Sequence, residues 1–152
     1  MRCSLSALAH LATQICHKCI VGDVISLQGP LGSGKTTFVK AFCQAAGIPP
    51  DSVSSPTFVI HHLYEAPGAK FCVVSHFDLY RLKSELELES IGFEEYVWGG
   101  GVSLIEWPQV AENQLPPDRL EIELSHCDDP EQREIRLRPV GNWSQRLDQV
   151  KC

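Results

Sequence analysis

The sequence predicts an α/β domain of three layers, built around a mixed, partly parallel central sheet that also carries antiparallel hairpins. Short apolar strands, at Val24–Leu27 and Val102–Ile105, alternate with segments of helical periodicity, which is typical of parallel pairing. The strands at Leu120–Leu124 and Glu134–Arg138 alternate apolar and polar residues, as half-exposed antiparallel strands do. A length of 152 residues fits one domain spanning residues 1–152.

The first half of the chain contains the clearest helices. Residues 3–19 carry leucine, alanine and isoleucine at helical spacing, which predicts an amphipathic helix. A second helix is predicted over Lys35–Ala46, because Gly47 and then Pro49-Pro50 end the periodic pattern. The strand at Val24–Leu27 and this second helix therefore enclose a glycine-rich stretch.

The second half of the chain contains the predicted hairpins. Strands are expected at Thr57–Tyr64 and Phe71–Phe77, with a turn at Pro67-Gly68 between them. Ser84 is a candidate N-cap for a short acidic helix through Ser90, because Glu87 completes a capping-box pattern. A last short helix is expected around Trp143–Val150.

The composition excludes several classes of protein. Hydrophobic residues make up 43% and charged residues 21% of the chain, which argues against disorder. No apolar run approaches the roughly 20 residues of a membrane span, and the seven scattered cysteines fit reduced thiols. We therefore expect a cytoplasmic protein without a membrane partner. The net charge of −6 disfavours non-specific nucleic-acid binding, because phosphate neutralisation needs excess Lys and Arg.

The strongest functional signal is the stretch Gly29–Thr36, which satisfies every fixed position of the Walker A pattern between a strand and a helix. Its glycines let backbone N–H groups point at phosphate oxygens, and the helix N-terminus adds partial positive charge. This context predicts a P-loop NTPase. The predicted nucleotide-binding residues are Gly32, Ser33, Gly34, Lys35 on the β- and γ-phosphates, Thr36 on Mg²⁺, and Thr37.

Two carboxylates stand where a P-loop enzyme needs a metal-holding acid. Glu106 ends the apolar strand Val102–Ile105, and Asp78 ends the strand that includes Phe77. Ligands in α/β sheets bind outside the carboxyl ends of the strands, so both acids can face the Mg²⁺ site.

Several motifs occur together in an order and spacing that identify a family. They are Gly32–Thr37, Ser55–Phe58, His76–Arg81, the run Glu85–Glu87 ahead of Ile91-Gly92 and Glu95-Tyr96, and Ile105–Pro108. With these motifs the chain resembles, over roughly residues 5–138, the bacterial TsaE family of small P-loop ATPases in tRNA threonylcarbamoyladenosine synthesis. The Walker motif is common to many families, whereas HFDLYR and IEWP are far more specific.

The resemblance implies binding of ATP and Mg²⁺, with slow or partner-dependent hydrolysis. It implies that the protein acts on TsaD and TsaB. The net charge of −6 separately disfavours a tRNA-reading surface, so we expect tRNA to be contacted at most indirectly. The product would be threonylcarbamoyl-modified adenosine 37 in tRNAs that read codons beginning with A. It also implies roles for residues: Thr36 and Glu106 at the metal, Asp78 as a second acid near the metal or its water, and Thr57 as a switch-like residue near the γ-phosphate.

Other functions and weaker signals stay open at this point. A small-molecule or nucleotide kinase would need a lid with clustered arginines, which the sequence does not show, and a non-hydrolysing binding module would not need both acids. Arg81 is either an arginine finger or part of a structural ion pair, and Gln132 or Arg133 is a candidate to line the base. Trp107 is expected mainly to pack, with shielding of the metal site as the alternative. The pair Cys16 and Cys19 lacks a second half for a zinc site, which favours ordinary thiols.

Overall fold

A computed structural model describes residues 1–54, 59–147 and 150 of the chain. Short 3-10 segments lie at Pro50–Ser52 and Pro108–Gln114. The strands and helices are β1 (Arg2–Ser4), α1 (Leu5–Lys18), β2 (Val24–Gln28), α2 (Lys35–Ala45), β3 (His61–Glu65), β4 (Val73–Asp78), α3 (Leu86–Ser90), α4 (Phe93–Val97), β5 (Val102–Glu106), β6 (Arg119–His126), β7 (Gln132–Val140) and α5 (Trp143–Arg146).

The strands form one mixed sheet in the order β1-β7-β6-β2-β5-β4-β3. Its centre is parallel, since β2 pairs with β5 and β6 in that sense and β5 pairs with β4. Both sides end in antiparallel pairs, β3 with β4 and β6 with β7, and β1 adds a short antiparallel edge. The predicted α/β class with a partly parallel sheet and antiparallel hairpins is confirmed.

Helices cover both faces of the sheet, so the domain has three layers. On one face, α1 and α2 bury Leu11, Phe38 and Phe42 against sheet residues such as Leu104. On the other face, α3, α4 and the 3-10 segment after β5 bury a smaller cluster around Phe93. Each central strand alternates its apolar side chains between the two clusters. Because β2, β4 and β5 are parallel, their carboxyl ends lie at one edge of the sheet.

Most predicted elements are confirmed, with corrections at their ends. The first helix begins at Leu5 rather than at residue 3, because residues 2–4 extend along β7 as β1. Residues 57–58 of the strand predicted from Thr57 lie outside the described residues, and in the described part the strand begins at His61, opposite Phe77. Its partner begins at Val73 rather than Phe71, since Cys72 turns with a φ of 57°.

The acidic segment after β4 contains one helix that the sequence analysis missed. The helix predicted from an N-cap at Ser84 has Glu85 at its N-cap instead, and its first helical residue is Leu86. The carboxylate of Glu87 nevertheless accepts hydrogen bonds from the backbone amides of Lys83 and Ser84, which is one half of the capping box. The additional helix, α4, follows a left-handed residue at Gly92.

None of the helices in the described part of the chain is long and apolar enough to cross a membrane. The C-terminal helix spans Trp143–Arg146, shorter than the predicted Trp143–Val150, of which residues 148–149 lie outside the described residues. Arg146 pairs through both guanidinium nitrogens with the buried Asp23, at 2.6 and 2.7 Å. This ion pair ties the C-terminal helix to the start of β2.

Candidate nucleotide-binding site

The glycine-rich loop lies between the end of β2 and the start of α2, as the sequence predicts. Gly32 and Gly34 have φ values of 73° and 105°, in the left-handed region that side chains disfavour. Gly29 runs so close to β6 that an added Cβ would lie 2.1 Å from the carbonyl oxygen of Leu124. The first backbone amides of α2 have no partner within the helix, so the loop and this helix end form a cradle for an anion.

Lys35 folds back over the loop that precedes it. Its ammonium donates hydrogen bonds to the carbonyl oxygens of Gly29 at 2.7 Å and Pro30 at 2.9 Å. The same nitrogen lies 4.0 Å from the centre of the Trp107 ring, within cation–π distance. Burial lowers the pKa of Lys35, while Glu106 and Asp78 oppose that shift. The ammonium of Lys35 therefore lies between the backbone carbonyls of the loop and the ring of Trp107.

The two predicted carboxylates lie side by side. Because β4 and β5 are parallel, Asp78 is directly opposite Glu106 in the sheet register. Glu106 is buried, and the hydroxyl of Thr36 lies 3.2 and 3.3 Å from its two oxygens. Burial raises the pKa of Asp78, whose Oδ1 accepts a hydrogen bond from the backbone amide of Tyr80. Sequence reasoning placed both acids correctly at the carboxyl edge of the sheet.

The buried carboxylate has a second partner that the sequence analysis did not assign to the site. His76 is fully buried on β4, and its Nε2 lies 2.9 Å from Oε1 of Glu106. The sequence analysis names it only as part of the motif His76–Arg81, because nothing local shows that β4 places it against β5. The alternation along β4 is the available signal, since His76 and Asp78 are two residues apart and share a face.

These groups open onto a cavity of about 450 Å³, a volume typical of small-ligand sites. The cavity brings together most of the predicted residues with side chains that sequence reasoning did not assign. It is lined by Leu5, Leu31, Gly32, Gly34, Lys35, Thr36, Thr37, Ile60, Asp78, Tyr80, Arg81, Glu106, Trp107 and Arg133. Charged side chains and apolar side chains therefore line the same cavity.

One predicted residue of the glycine-rich loop is not among those that line the cavity. Ser33 is fully buried, and its hydroxyl has no hydrogen-bond partner among the described residues. Thr57 lies outside the described residues. Of the candidates for the base, Arg133 lines the cavity and donates to the carbonyl oxygen of Gly32 at 3.4 Å, whereas Gln132 does not line it.

Trp107 is more than a packing residue. It has a left-handed backbone, with a φ of 57°, directly after the metal-linked acid predicted at Glu106. Its ring lies over Lys35 and 4.8 Å from the ring of Tyr80, so the two aromatic side chains form one wall of the cavity. Its place beside Glu106 is the signal that could have found it.

The oxygen donors fit a hard divalent cation beside phosphates. The Thr36 hydroxyl and the Glu106 carboxylate are the ligand types that Mg²⁺ prefers, and Mg²⁺ takes few protein ligands when phosphates supply the others. Among residues 1–54, 59–147 and 150, no group of three or more His, Cys, Asp or Glu side chains is arranged to hold a metal by itself. Cys16 and Cys19 are buried free thiols, and burial raises the pKa of both.

Comparisons with known proteins show which proteins this chain is similar to. The family model for "Threonylcarbamoyl adenosine biosynthesis protein TsaE" matches residues 3–135. The protein named "tRNA threonylcarbamoyladenosine biosynthesis protein TsaE" from Bacillus subtilis is 44% identical over 126 residues, covering 83% of this chain and 75% of the relative. Its namesake from Haemophilus influenzae is 33% identical over 124 residues, covering 82% and 75%. The crystal structure of Bacillus subtilis YdiB superposes with a TM-score of 0.76 and 33% identity, covering 95% of this chain and 87% of that one.

Proposed function

This chain belongs to the TsaE family of threonylcarbamoyl adenosine biosynthesis proteins, and from that premise we propose that it binds Mg²⁺-ATP and hydrolyses it slowly in support of tRNA threonylcarbamoyladenosine formation. One observation carries the ATPase assignment. Lys35, Thr36 and Glu106 converge at the end of a glycine-rich loop, on the floor of a cavity large enough for a nucleotide.

The residues divide the work by their chemistry. The glycine-rich loop and the first turn of α2 bind phosphate oxygens through backbone amides. Lys35 exchanges its two carbonyl partners for the β- and γ-phosphates, which attract the ammonium more strongly than neutral carbonyls do. Thr36 and Glu106 hold the cation, and Asp78 orients the attacking water. Thr57 senses the γ-phosphate.

A bound Mg²⁺ supplies charge stabilisation for the phosphoryl group as it is transferred. The protein must keep its own acids ionised beside that group. Burial raises the pKa of Asp78. The backbone amide of Tyr80 and the positive charge of Lys35 both oppose this increase. Trp107 and Tyr80 cover one side of the site and limit the entry of bulk water.

We further propose that the nucleotide acts on contacts with TsaD and TsaB rather than with tRNA. An acidic chain with a net charge of −6 is poorly suited to grip a polyanion. Thr57, outside the described residues, contacts the γ-phosphate, and hydrolysis removes that contact, as in other phosphate-sensing switches. In this proposal, the protein assists the formation of threonylcarbamoyl-modified adenosine 37 in tRNAs that read codons beginning with A.

Labelled ATP distinguishes this function from a kinase or a binding module. The protein is incubated with γ-labelled ATP alone, with candidate small-molecule acceptors, and with TsaD and TsaB. We expect release of labelled phosphate that increases when both partners are present. A labelled acceptor would identify a kinase instead, and no turnover in any mixture would leave a nucleotide-binding module.

The cellular role is tested by complementation. Threonylcarbamoyladenosine is measured in tRNA from cells depleted of this protein and supplied with wild type, Lys35→Ala, Thr57→Ala or Lys40→Ala. Lys40 is an exposed lysine on the same helix as Lys35, and the Lys40→Ala variant serves as the matched control. We expect modification with wild type and the control only. Normal modification in the depleted cells would contradict the proposed role.

A further inference from the structure

A chain of three polar side chains, two of them buried, connects the glycine-rich loop to the interior of the sheet. The hydroxyl of Thr36 lies 3.2 Å from Oε1 and 3.3 Å from Oε2 of Glu106. Nε2 of His76 lies 2.9 Å from Oε1 of the same carboxylate. Glu106 is 2% exposed and His76 is 0% exposed, so water does not compete for the contact between these two side chains.

A buried carboxylate needs hydrogen-bond donors to replace the water that it loses, and the two donors here differ in their geometry. The Thr36 hydroxyl has one proton to share between two oxygens, both at long distances for an O–H donor. His76 is the closer donor. If the Thr36 hydroxyl turns its oxygen towards a cation, His76 is the partner that still holds Glu106 in place.

The position of the proton on His76 follows from its surroundings. Nδ1 of His76 is buried and has no hydrogen-bond partner among the described residues. A proton on Nδ1 alone would leave an unpaired buried N–H and turn a lone pair towards the carboxylate of Glu106. The arrangement is satisfied when Nε2 carries the proton and donates it to Glu106.

The imidazole of His76 is also fixed in orientation. It lies on β4 between β3 and β5, opposite His62 on one side and Leu104 on the other. The ring of Tyr64 stacks at 6.5 Å with an angle of 28° between the planes. A ring packed in this way presents its Nε2 to Glu106 without losing further side-chain entropy.

We infer that His76 is a positioning residue: it holds the Glu106 carboxylate in the orientation that serves Thr36 and the cation, without touching the nucleotide. The inference rests on the proposed function, because it assigns Glu106 a task at the cation. Mutation of a residue that hydrogen-bonds to a metal ligand typically reduces metal affinity or activity about 10- to 100-fold. His76 thus extends the site by one residue into the core.

The test compares two amide replacements of His76 that differ only in reach. His76→Gln puts an N–H near the place of Nε2, whereas His76→Asn is one carbon too short to reach Glu106. His10→Asn, at an exposed position on α1, is the matched control. Calorimetry gives the dissociation constant of ATP in Mg²⁺ and in EDTA, and the ratio of the two measures the gain in affinity from the cation. Binding of ADP in EDTA reports whether the loop is intact.

We expect His76→Asn to reduce the Mg²⁺-dependent gain about tenfold or more, and His76→Gln to stay within about threefold of wild type. ADP binding in EDTA should not change in either variant. In a Glu106→Gln background, His76→Asn should have little further effect, because the two residues act as a unit. This non-additivity is a readout that a merely structural role would not produce.

Four results would overturn the inference. They are a wild-type Mg²⁺-dependent gain in His76→Asn, equal losses in His76→Gln and His76→Asn, the same loss with and without Glu106→Gln, or loss of ADP binding in EDTA. The wild-type protein separates this inference from the proposed function. If wild type shows no Mg²⁺-dependent gain, the proposed function fails, and if it shows the gain but His76→Asn retains it, only the inference fails.

Discussion

Replacement of Gly29 by alanine tests whether the phosphate cradle depends on close contact between the loop and β6. A Cβ at this position would lie 2.1 Å from the carbonyl oxygen of Leu124 and 2.8 Å from the Ser33 hydroxyl. Neither neighbour can yield easily. The Leu124 carbonyl belongs to a strand paired on both sides, and Ser33 is fully buried.

The size of the effect follows from these distances. A carbon and a carbonyl oxygen normally approach no closer than about 3.3 Å, so the loop must move by about 1 Å at Gly29. A displacement of about 1 Å in a positioned site can cost about 100-fold in function. We therefore expect ATP affinity to fall about 10- to 100-fold, which corresponds to about 1.4–2.8 kcal/mol.

Calorimetry with ATP and Mg²⁺ measures this change, and the chain offers a matched glycine for comparison. Gly100 has nothing within 4 Å of an added Cβ, so Gly100→Ala should bind ATP like wild type. Urea unfolding of Gly29→Ala separates a displaced loop from a lost fold. Wild-type ATP affinity in Gly29→Ala would refute the argument that close contact with β6 shapes the cradle.

Three further predictions concern stability, fluorescence and pH. Asp23→Ala should lower the free energy of unfolding, measured by urea titration, by about 3 kcal/mol, because it removes the carboxylate that pairs with Arg146. A change below about 1 kcal/mol would contradict this. ADP should change the tryptophan fluorescence as Lys35 leaves the Trp107 ring, and Trp107→Phe should abolish most of that change. Burial lowers the pKa of His61 to about 4, below its unfolded value of about 6.5. Its contribution to stability is therefore present above pH 6.5 and is lost as the pH falls towards 4. His61→Phe should weaken the dependence of the urea midpoint on pH between pH 7.5 and 5, and an unchanged dependence would count against this.

The parts of the site that are local in sequence were predictable. The spacing of the glycines, the apolar strand before them and the helix from Lys35 depend on neighbouring residues, and all three were placed correctly. Asp78 and Glu106 were also placed correctly, although they are 28 residues apart. Two parallel strands end at the same edge of a sheet, and that rule needs no knowledge of the register.

The parts that depend on register were not predictable. The contact between His76 and Glu106 needs β4 and β5 to pair with Asp78 opposite Glu106, and no local pattern specifies that alignment. Residues 2–4 form a strand only because β7 lies beside them, since a three-residue segment has no pattern of its own. The left-handed turn at Trp107, which brings its ring over Lys35, is equally invisible in composition.

The central claim is that Lys35 is the cation of an ATP site, and calorimetry of Lys35→Ala tests it most directly. Charge-assisted contacts to phosphate are worth about 1.5–3 kcal/mol, so affinity for Mg²⁺-ATP should fall about tenfold or more. Lys40→Ala removes an exposed charge from the same helix and should leave the affinity unchanged. Equal ATP affinity in wild type, Lys35→Ala and Lys40→Ala would contradict the assignment of this loop as the phosphate-binding site.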